Sequence, residues 1–180
     1  MSDSQQHQAI ISQSKRWLEK VVIGLNFCPF AKKEFERQSI RYVVDSSASQ
    51  KEALNTLIDE LSLLDNKAEI ETTLLIYDHA YQHFDDYLDW LAVASSLVEK
   101  SAYRGIYQVA SFHPNYCFEG EELDDPANFT NRSPYPMLHI LRESSLEKVL
   151  RLYPQPELIP QRNIDKAREL GVNYLQNLLR

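Results

Sequence analysis

The stretch TTLLIY at residues 72–77 decides the fold. It is a short, nearly continuous apolar run, which is typical of a strand buried on both faces of a sheet. Two further β-rich stretches, 40–44 and 105–112, precede and follow it, and apolar residues at helical spacing fill both connections. The order strand, helix, strand, helix, strand predicts two successive βαβ units with the first three strands parallel in one sheet.

The remaining segments extend this α/β core at both ends. A fourth strand at 137–141 is expected to return antiparallel, which gives a mixed sheet of about four strands. Ser49 followed by Glu52 is a capping-box signature for the first crossover helix, through Leu64, and Asp78 is predicted to cap the second. Extra N- and C-terminal helices are predicted near 10–25, 29–37, 144–152 and 160–179.

Length and charge restrict the class of protein. The chain has 180 residues, 19 of them basic and 26 acidic, for a formal net charge of -7. This length predicts a single globular domain over residues 1–180. Broad binding to nucleic acid or to an anionic membrane needs clustered basic residues, so neither partner is expected. The four glycines do not form a G-x-G-x-x-G or P-loop motif, which excludes nucleotide binding through those motifs.

The N-terminus and the cysteines indicate a compartment. The first residues, MSDSQQHQ, lack the basic and then apolar pattern of a secretion signal, and no apolar run approaches the roughly 20 residues of a spanning helix. Cys28 and Cys117 are far apart and form no C-x-x-C pair. We therefore expect a cytoplasmic protein with reduced thiols. Cofactors and oligomeric state stay open.

The expected site is the carboxyl edge of the sheet, because ligands of open α/β sheets bind beyond the carboxyl ends of the strands. Those ends carry Asp45-Ser46-Ser47, Asp78-His79 and His113. The segment 113–136 begins at this edge and, if the fourth strand is antiparallel, returns to it. Loops longer than about 12–15 residues are usually functional or disordered, and the aromatic residues of this one favour order.

Two histidines are candidates for proton transfer. His113 follows the third strand and is the predicted general acid or base, with His139 on the returning strand as a helper. If the third and fourth strands pair as a hairpin, the two rings are expected to lie close together. The alternative is a hydrogen-bonded core histidine, especially for His139, which shares a face with Met137 and Leu141.

The loop also offers a candidate anion site at Asn131, Arg132 and Ser133. A guanidinium with amide and hydroxyl donors suits a carboxylate or a phosphate. The alternative is an internal ion pair between Arg132 and one of five nearby acids, Glu119, Glu121, Glu122, Asp124 and Asp125. Those acids offer a third possibility, a hard cation such as Mg²⁺ or Ca²⁺, although they lack the EF-hand spacing.

Cys28 is a candidate catalytic residue that would assist His113. If Pro29 is the first helical residue, the thiol lies at a helix N-terminus, where the dipole favours the thiolate. The alternative is a small buried apolar residue between Phe27 and Phe30. A zinc site is a further alternative, with four side chains of suitable chemistry: Cys28, His113, Cys117 and His139.

Two hypotheses of different classes follow. The leading one is a small-molecule-binding, enzyme-like domain whose site lies at the carboxyl edge under the 113–136 loop. There His113 acts as acid or base, Asn131 and Arg132 bind an anionic group, and Cys28 or His139 assists. The alternative is a non-catalytic interaction module, in which the acidic helix within 78–99 and the long loop face a basic partner protein.

Three motifs carry a resemblance to a known family. The stretches IGLNFCPFA at 23–31, VASFHP at 109–114 and NRSPYP at 131–136 resemble the bacterial family catalogued as domain of unknown function 1415. The likeness covers nearly the whole chain, including stretches 72–75 and 162–164. It implies a bacterial, single-domain, cytoplasmic protein and supplies no activity. Cys117 falls at a position outside the family pattern, which weakens it as a metal ligand.

Overall fold

The computed structural model describes residues 3–179 and has a four-stranded sheet with helices on both faces. The strands are β1 (Ile40–Asp45), β2 (Thr72–Tyr77), β3 (Tyr107–Phe112) and β4 (Met137–Arg142). The helices are α1 (Asp3–Trp17), α2 (Ala31–Glu36), α3 (Gln50–Asn66), α4 (Phe84–Glu99), α5 (Glu143–Leu152), α6 (Ile159–Leu170) and α7 (Val172–Leu179). The predicted mixed α/β class is confirmed.

The strand order is β1-β2-β4-β3, so β4 lies between β2 and β3. β1 is parallel to β2, and β4 is antiparallel to both β2 and β3. The first three strands therefore run in the same direction, as predicted, but β2 and β3 are not neighbours. Every residue of β2 is buried, as its continuous apolar run requires.

The sheet separates two hydrophobic cores. On one side, which we call the α3/α4 face, Leu75 and Tyr77 pack with apolar residues of α3 and α4. On the other side, the α1/α7 face, Leu74 and Ile76 pack with residues of α1, α6 and α7. Successive residues of a strand point to opposite faces, so β2 alternates between the two cores. This alternation also fixes the face of each candidate site residue.

Glycines end or break two predicted helices. The first helix begins at Asp3, earlier than expected, and continues after Trp17 as a π-helix, Leu18–Ile23. A side chain at Gly24 would lie 2.4 Å from the carbonyl oxygen of Lys20, so this tight end admits only glycine. The predicted 160–179 helix is two helices, because Gly171 has a φ of +77° and separates α6 from α7.

The two helix caps predicted from sequence have different outcomes. The Ser49 side chain accepts a hydrogen bond from the Glu52 amide and caps α3, which confirms that prediction. The Asp78 cap is wrong. The segment after β2 continues irregularly, and α4 begins only at Phe84, preceded by His83 with no side-chain cap. Asp78 is therefore free for another role at the end of β2.

Tyr87 fixes the point where β3 and β4 part. Its hydroxyl donates to the Met137 carbonyl oxygen at 2.6 Å and accepts from the Phe112 amide at 3.1 Å. Phe112 and Met137 are register partners, so one buried phenol satisfies the last backbone groups before the chain leaves as the 113–136 loop.

We expect Tyr87→Phe to destabilise the protein, because it leaves two backbone groups unpaired at this junction. The cost is about 1–3 kcal/mol, which lowers the thermal unfolding midpoint by roughly 2–12 °C in a chain of this size. Circular dichroism melting measures it. Tyr174→Phe is the matched control, because Tyr174 is 49% exposed. Equal midpoints for the two variants would contradict the structural role of the Tyr87 hydroxyl.

Candidate functional site

Two aspartates end neighbouring parallel strands at the carboxyl edge. Asp45 is the last residue of β1, and Asp78 directly follows β2. The register places Asp45 opposite Tyr77, and the Asp78 amide lies 3.4 Å from the Asp45 carbonyl oxygen. Asp45 is 3% exposed and the Asp78 side chain 2%. The ends of β1 and β2 thus bring two buried carboxylates to the edge where α/β proteins bind ligands.

Each carboxylate has one oxygen with a partner and one without. Asp45 Oδ1 accepts from the Ser47 amide at 2.7 Å, and Asp78 Oδ2 accepts from the Ser46 hydroxyl at 2.7 Å. Asp45 Oδ2 and Asp78 Oδ1 are buried and accept no hydrogen bond from any residue of the described range 3–179. A buried acceptor without a partner is costly, and more so when it is charged. This edge therefore has unused capacity for hydrogen-bond donors.

Two histidines lie beside Asp78. His7 on α1 has its Nε2 3.0 Å from Ser46 Oγ and 3.8 Å from Asp78 Oδ2, and His79 Nε2 is 3.5 Å from the same carboxylate oxygen. Ser46 donates its own proton to Asp78, so His7 does not act as a base toward it. The arrangement is therefore not a Ser-His-Asp triad, in which the carboxylate orients the histidine. The His7 side chain is 38% exposed and the His79 side chain 71%, so both imidazoles are accessible from solvent.

Tyr81 belongs to the irregular segment after β2 and has a left-handed backbone, with a φ of 59°. Its ring stacks on Trp90 at 5.1 Å between centroids. Burial, and then the charge of Asp45, raise the pKa of Tyr81 to about 12, so the phenol is neutral at pH 7. Left-handed non-glycine residues cost about 1–3 kcal/mol and cluster at functional sites. Here the strained residue, Tyr81, lies three residues after Asp78 of the carboxylate pair.

His113 lies just beyond β3, as predicted, but both of its ring nitrogens have backbone partners. Nδ1 accepts from the Asn115 amide at 3.0 Å, which leaves the ring proton on Nε2, and Nε2 donates to the Tyr81 carbonyl oxygen at 3.0 Å. The ring is fully buried against Phe84 and Tyr87, and burial lowers its pKa. The imidazole links the long loop to the segment after β2. The predicted acid or base role finds no free ring nitrogen here.

The expectation that His113 and His139 lie close together is wrong, because they are on opposite faces of the sheet. Met137 is the register partner of Phe112, and His139 shares their side, the α1/α7 face, where its ring lies 6.2 Å from that of Phe112. His113 is the next residue after Phe112 and points the other way. His139 Nε2 is buried with no partner in the range 3–179, and burial lowers its pKa to about 4.

The condition on which a dipole-activated Cys28 thiolate depended is not met. The short α2 has six residues and begins at Ala31, not at Pro29. Burial raises the pKa of the Cys28 thiol, and the opposing effect of the Phe30 and Ala31 amides is smaller. Cys28 packs at the border of the α1/α7 core, which agrees with the alternative of a small apolar residue.

Asn131 and Ser133 donate hydrogen bonds to backbone carbonyl oxygens of the chain itself. Asn131 Nδ2 donates to the Ser111 carbonyl oxygen at 3.0 Å, and the backbone carbonyl oxygen of Asn131 accepts from the His113 amide. Ser133 is buried and donates to the Tyr135 carbonyl oxygen at 2.6 Å. These contacts hold the two ends of the 113–136 loop together. The Ser133 hydroxyl and one of the two Asn131 amide protons are thus already used within the chain, which weakens the predicted anion site.

Arg132 fastens the middle of the loop, and its partners are carbonyl oxygens instead of an anion or an acid. Nε donates to Tyr116 at 3.1 Å and Nη2 to Leu123 at 2.7 Å, while the guanidinium lies 4.6 Å from the centre of the Phe129 ring. Burial lowers its pKa. The expected ion pair to the loop acids is made by Arg168 of α6, which binds Asp125 at 2.9 Å and Glu121 at 3.1 Å.

The metal alternatives receive no support from the geometry. Among residues 3–179, no three or more His, Cys, Asp or Glu side chains are grouped so that they could hold a metal ion. The four side chains of the zinc alternative, Cys28, His113, Cys117 and His139, are therefore not gathered. Two of the loop acids are instead paired with Arg168.

The carboxylate pair was partly visible in the sequence. Asp45-Ser46-Ser47 and Asp78-His79 mark the predicted carboxyl edge, but the helix-cap assignment of Asp78 concealed its role. His7 gave no signal, because its contact with Ser46 joins residues 39 apart through the packing of α1 against the sheet. No local pattern reports such a contact.

The fold and this edge define a three-layer α/β domain with an acidic site at the ends of two parallel strands. The chain belongs to the family described as protein of unknown function (DUF1415), whose model matches residues 9–177. This confirms the resemblance carried by the motifs. No curated protein and no solved structure matches the chain. No helix within the described part of the chain is long and apolar enough to cross a membrane.

We expect Arg132→Gln to behave as a loop-anchoring variant. Loss of its hydrogen bonds to the two carbonyl oxygens costs about 1–3 kcal/mol, lowers the thermal midpoint by roughly 2–12 °C and speeds proteolysis within 113–136. Melting curves and limited proteolysis measure both effects. Arg104→Gln removes the same charge from an exposed position and is the control. Unchanged melting and cleavage would return Arg132 to the list of ligand-binding candidates.

Acid stability depends on His139. Between pH 6.5, its ordinary pKa, and about 4, its folded pKa, the unfolded chain binds a proton there that the folded chain does not. The free energy of unfolding therefore falls as the pH is lowered through this interval. We expect the free energy of unfolding of His139→Leu to depend less steeply on pH over this interval. Some dependence should persist, because the pKa of His113 is also lowered. Urea midpoints at several pH values measure the effect.

The matched control for that experiment is His79→Gln, because the His79 side chain is 71% exposed. It should keep the full acid dependence. If His139→Leu and His79→Gln have the same pH profile as the natural chain, burial of His139 is not a cause of acid sensitivity.

Proposed function

We propose that this protein is a small-molecule-binding, enzyme-like domain whose site is the carboxyl edge at Asp45 and Asp78. The observation that carries this proposal is the pair of buried carboxylate oxygens, Asp45 Oδ2 and Asp78 Oδ1, without a partner among residues 3–179. The proposed site therefore lies at the ends of β1 and β2. The sequence predicts a site at this same carboxyl edge, but with His113, Asn131 and Arg132 as its residues. The 113–136 loop contributes the backbone support described above.

The site chemistry favours a ligand with a positive charge. An ionised carboxylate only accepts hydrogen bonds, and its strongest partners are charged N–H donors. Two such oxygens with free capacity complement a primary amine or a guanidine. The His7 and His79 imidazoles lie 3.8 and 3.5 Å from Asp78 Oδ2, and this proximity supports acid-base chemistry on the bound amine. No cofactor is assigned to this chemistry.

The competing hypothesis, a non-catalytic interaction module, has less support. Asp85, Asp86 and Asp89 are exposed on α4, but a solvated helix face has the same appearance. The second part of that surface, the 113–136 loop, is fastened within the chain by Arg132 and Arg168. An acidic docking face also does not explain why Asp45 Oδ2 and Asp78 Oδ1 are buried without a partner in the range 3–179. Binding of a basic protein stays a prediction.

The proposed activity belongs to the bacterial cytoplasm, as the family resemblance implies. Cys28 and Cys117 are free thiols, in agreement with a reducing compartment.

We expect Asp45→Asn and Asp78→Asn to abolish amine binding without loss of stability. An asparagine keeps the oxygen that accepts from Ser47 or Ser46 and replaces the charged, unpaired oxygen by a neutral amide. The thermal midpoint should stay unchanged or rise, as is common when a functional charge is removed. The probes are putrescine and agmatine, with acetate as the anionic comparison, and the measurement is ligand-induced thermal stabilisation.

Glu60→Gln is the matched control, because Glu60 is a buried carboxylate with a full set of partners. It accepts from Arg41 at 2.8 and 3.0 Å and from Thr73 at 3.3 Å. Its loss of charge should lower the midpoint by roughly 3–12 °C and leave amine binding intact. The proposal fails if neither probe stabilises the natural chain, or if the Asp45 and Asp78 variants melt as early as Glu60→Gln.

A further inference from the structure

A second candidate site is formed by residues other than those of the carboxylate pair. A cavity of about 200 Å³ opens between the turn after the π-helix and the segment that runs from α5 into α6. Its apolar walls are Leu25, Pro29, Tyr153 and Ile159. The polar walls are Asn26, Arg162, Asn163 and Lys166. The cavity shares no residue with the site at Asp45 and Asp78.

The charge of this cavity is opposite to that of the whole chain. Arg162 and Lys166 are its two charged lining residues and both are cations, in a protein with a net charge of -7. They are four residues apart on α6, so their side chains are neighbours, and two like charges at this spacing repel each other. An anion bound between them would remove that repulsion.

The existing partners of these cations are weak. Arg162 Nη2 lies 3.4 Å from Gln155 Oε1, and Lys166 Nζ lies 3.2 Å from Glu169 Oε2. The Lys166 and Glu169 side chains are 43% and 71% exposed. Exposed ion pairs contribute little, because water solvates both groups. Both cations therefore keep donors for a ligand.

The cavity is held in shape by contacts outside its two cations. Asn163 Nδ2 donates to the Phe27 carbonyl oxygen at 2.7 Å, which joins α6 to the turn. Asn26 in that turn has a left-handed φ of 58°. The Tyr153 ring packs edge-on against Phe30 at 5.6 Å between centroids. A pre-formed wall of this kind lowers the entropy lost on binding.

We propose that this cavity binds a small molecule with a carboxylate or phosphate group, its anion at Arg162 and Lys166 and its body against the apolar walls. The volume suits one ring or a short chain, because a cavity of about 150 Å³ already holds benzene. Five of the eight lining residues belong to the stretches 23–31 and 162–164, which the sequence singled out without a function. The proposal does not depend on the amine site.

The test is a titration of the full chain with benzoate and, separately, inorganic phosphate, followed by amide chemical shifts. Saturable shifts at Asn26 and Asn163 are expected. The double variant Arg162→Gln/Lys166→Gln should bind about tenfold or more weakly, because it removes charge-assisted hydrogen bonds. Tighter binding of benzoate would identify a carboxylate with an apolar body, and tighter binding of phosphate a phosphate ester.

The control variant is Arg151→Gln, which removes one charge from a side chain that is 77% exposed and outside the cavity. It should bind both probes as the natural chain does. Asp45→Asn should also bind them normally, so failure of the amine site does not affect this result. The proposal is overturned if neither probe gives saturable shifts, or if the double variant, with an unchanged thermal midpoint, binds as tightly as the natural chain.

Discussion

The insertion of β4 between β2 and β3 is the constraint on which the rest of the structure depends. Because β4 is antiparallel to β3, the end of β3 and the start of β4 lie at the same, carboxyl edge of the sheet, and the 113–136 loop joins them there. The pairing of β3 with β4 also fixes the alternation of side chains, so that His113 and His139 point to opposite cores. The Tyr87 hydroxyl, which bonds both strands where they part, makes this arrangement depend on one buried phenol.

The carboxyl edge contrasts with the rest of the polar interior. Glu60 is buried and satisfied by Arg41 and Thr73, and Arg142 donates to three carbonyl oxygens near the end of α3 and before β2. Those groups behave as structural polar groups do, with hydrogen-bond partners inside the chain. Asp45 and Asp78 differ because half of each carboxylate is buried without a partner. Stability alone would favour neutral residues there, which is why a ligand is the economical explanation.

The sequence predicts the elements better than the contacts. The apolar run of β2 and the alternating strand and helix order depend on local periodicity, and they predict the α/β class and the shared direction of β1, β2 and β3. The sequence predicts an anion site at residues 131–133 because their side chains are hydrogen-bond donors. The sequence does not show which partners those donors find. In the fold these donors meet carbonyl oxygens: Arg132 donates to two distant loop positions, Asn131 to a residue of β3, and Ser133 to Tyr135 nearby. His7 had no local signal at all, because packing of α1 brings it to Ser46.

The net charge of the chain does not set the sign of the two proposed ligands, because each proposed site depends on groups that lack a strong partner. The five acids of the long loop suggested a cation site, yet Arg168 pairs with two of them. Buried carboxylate oxygens without a partner in the range 3–179 belong instead to Asp45 and Asp78, at the ends of strands that the sequence presents as apolar. Weakly paired positive charge is concentrated at Arg162 and Lys166, in the C-terminal part of the chain. The two proposed sites are thus opposite in sign, and a ligand with both charges would meet only one half of its complement at each.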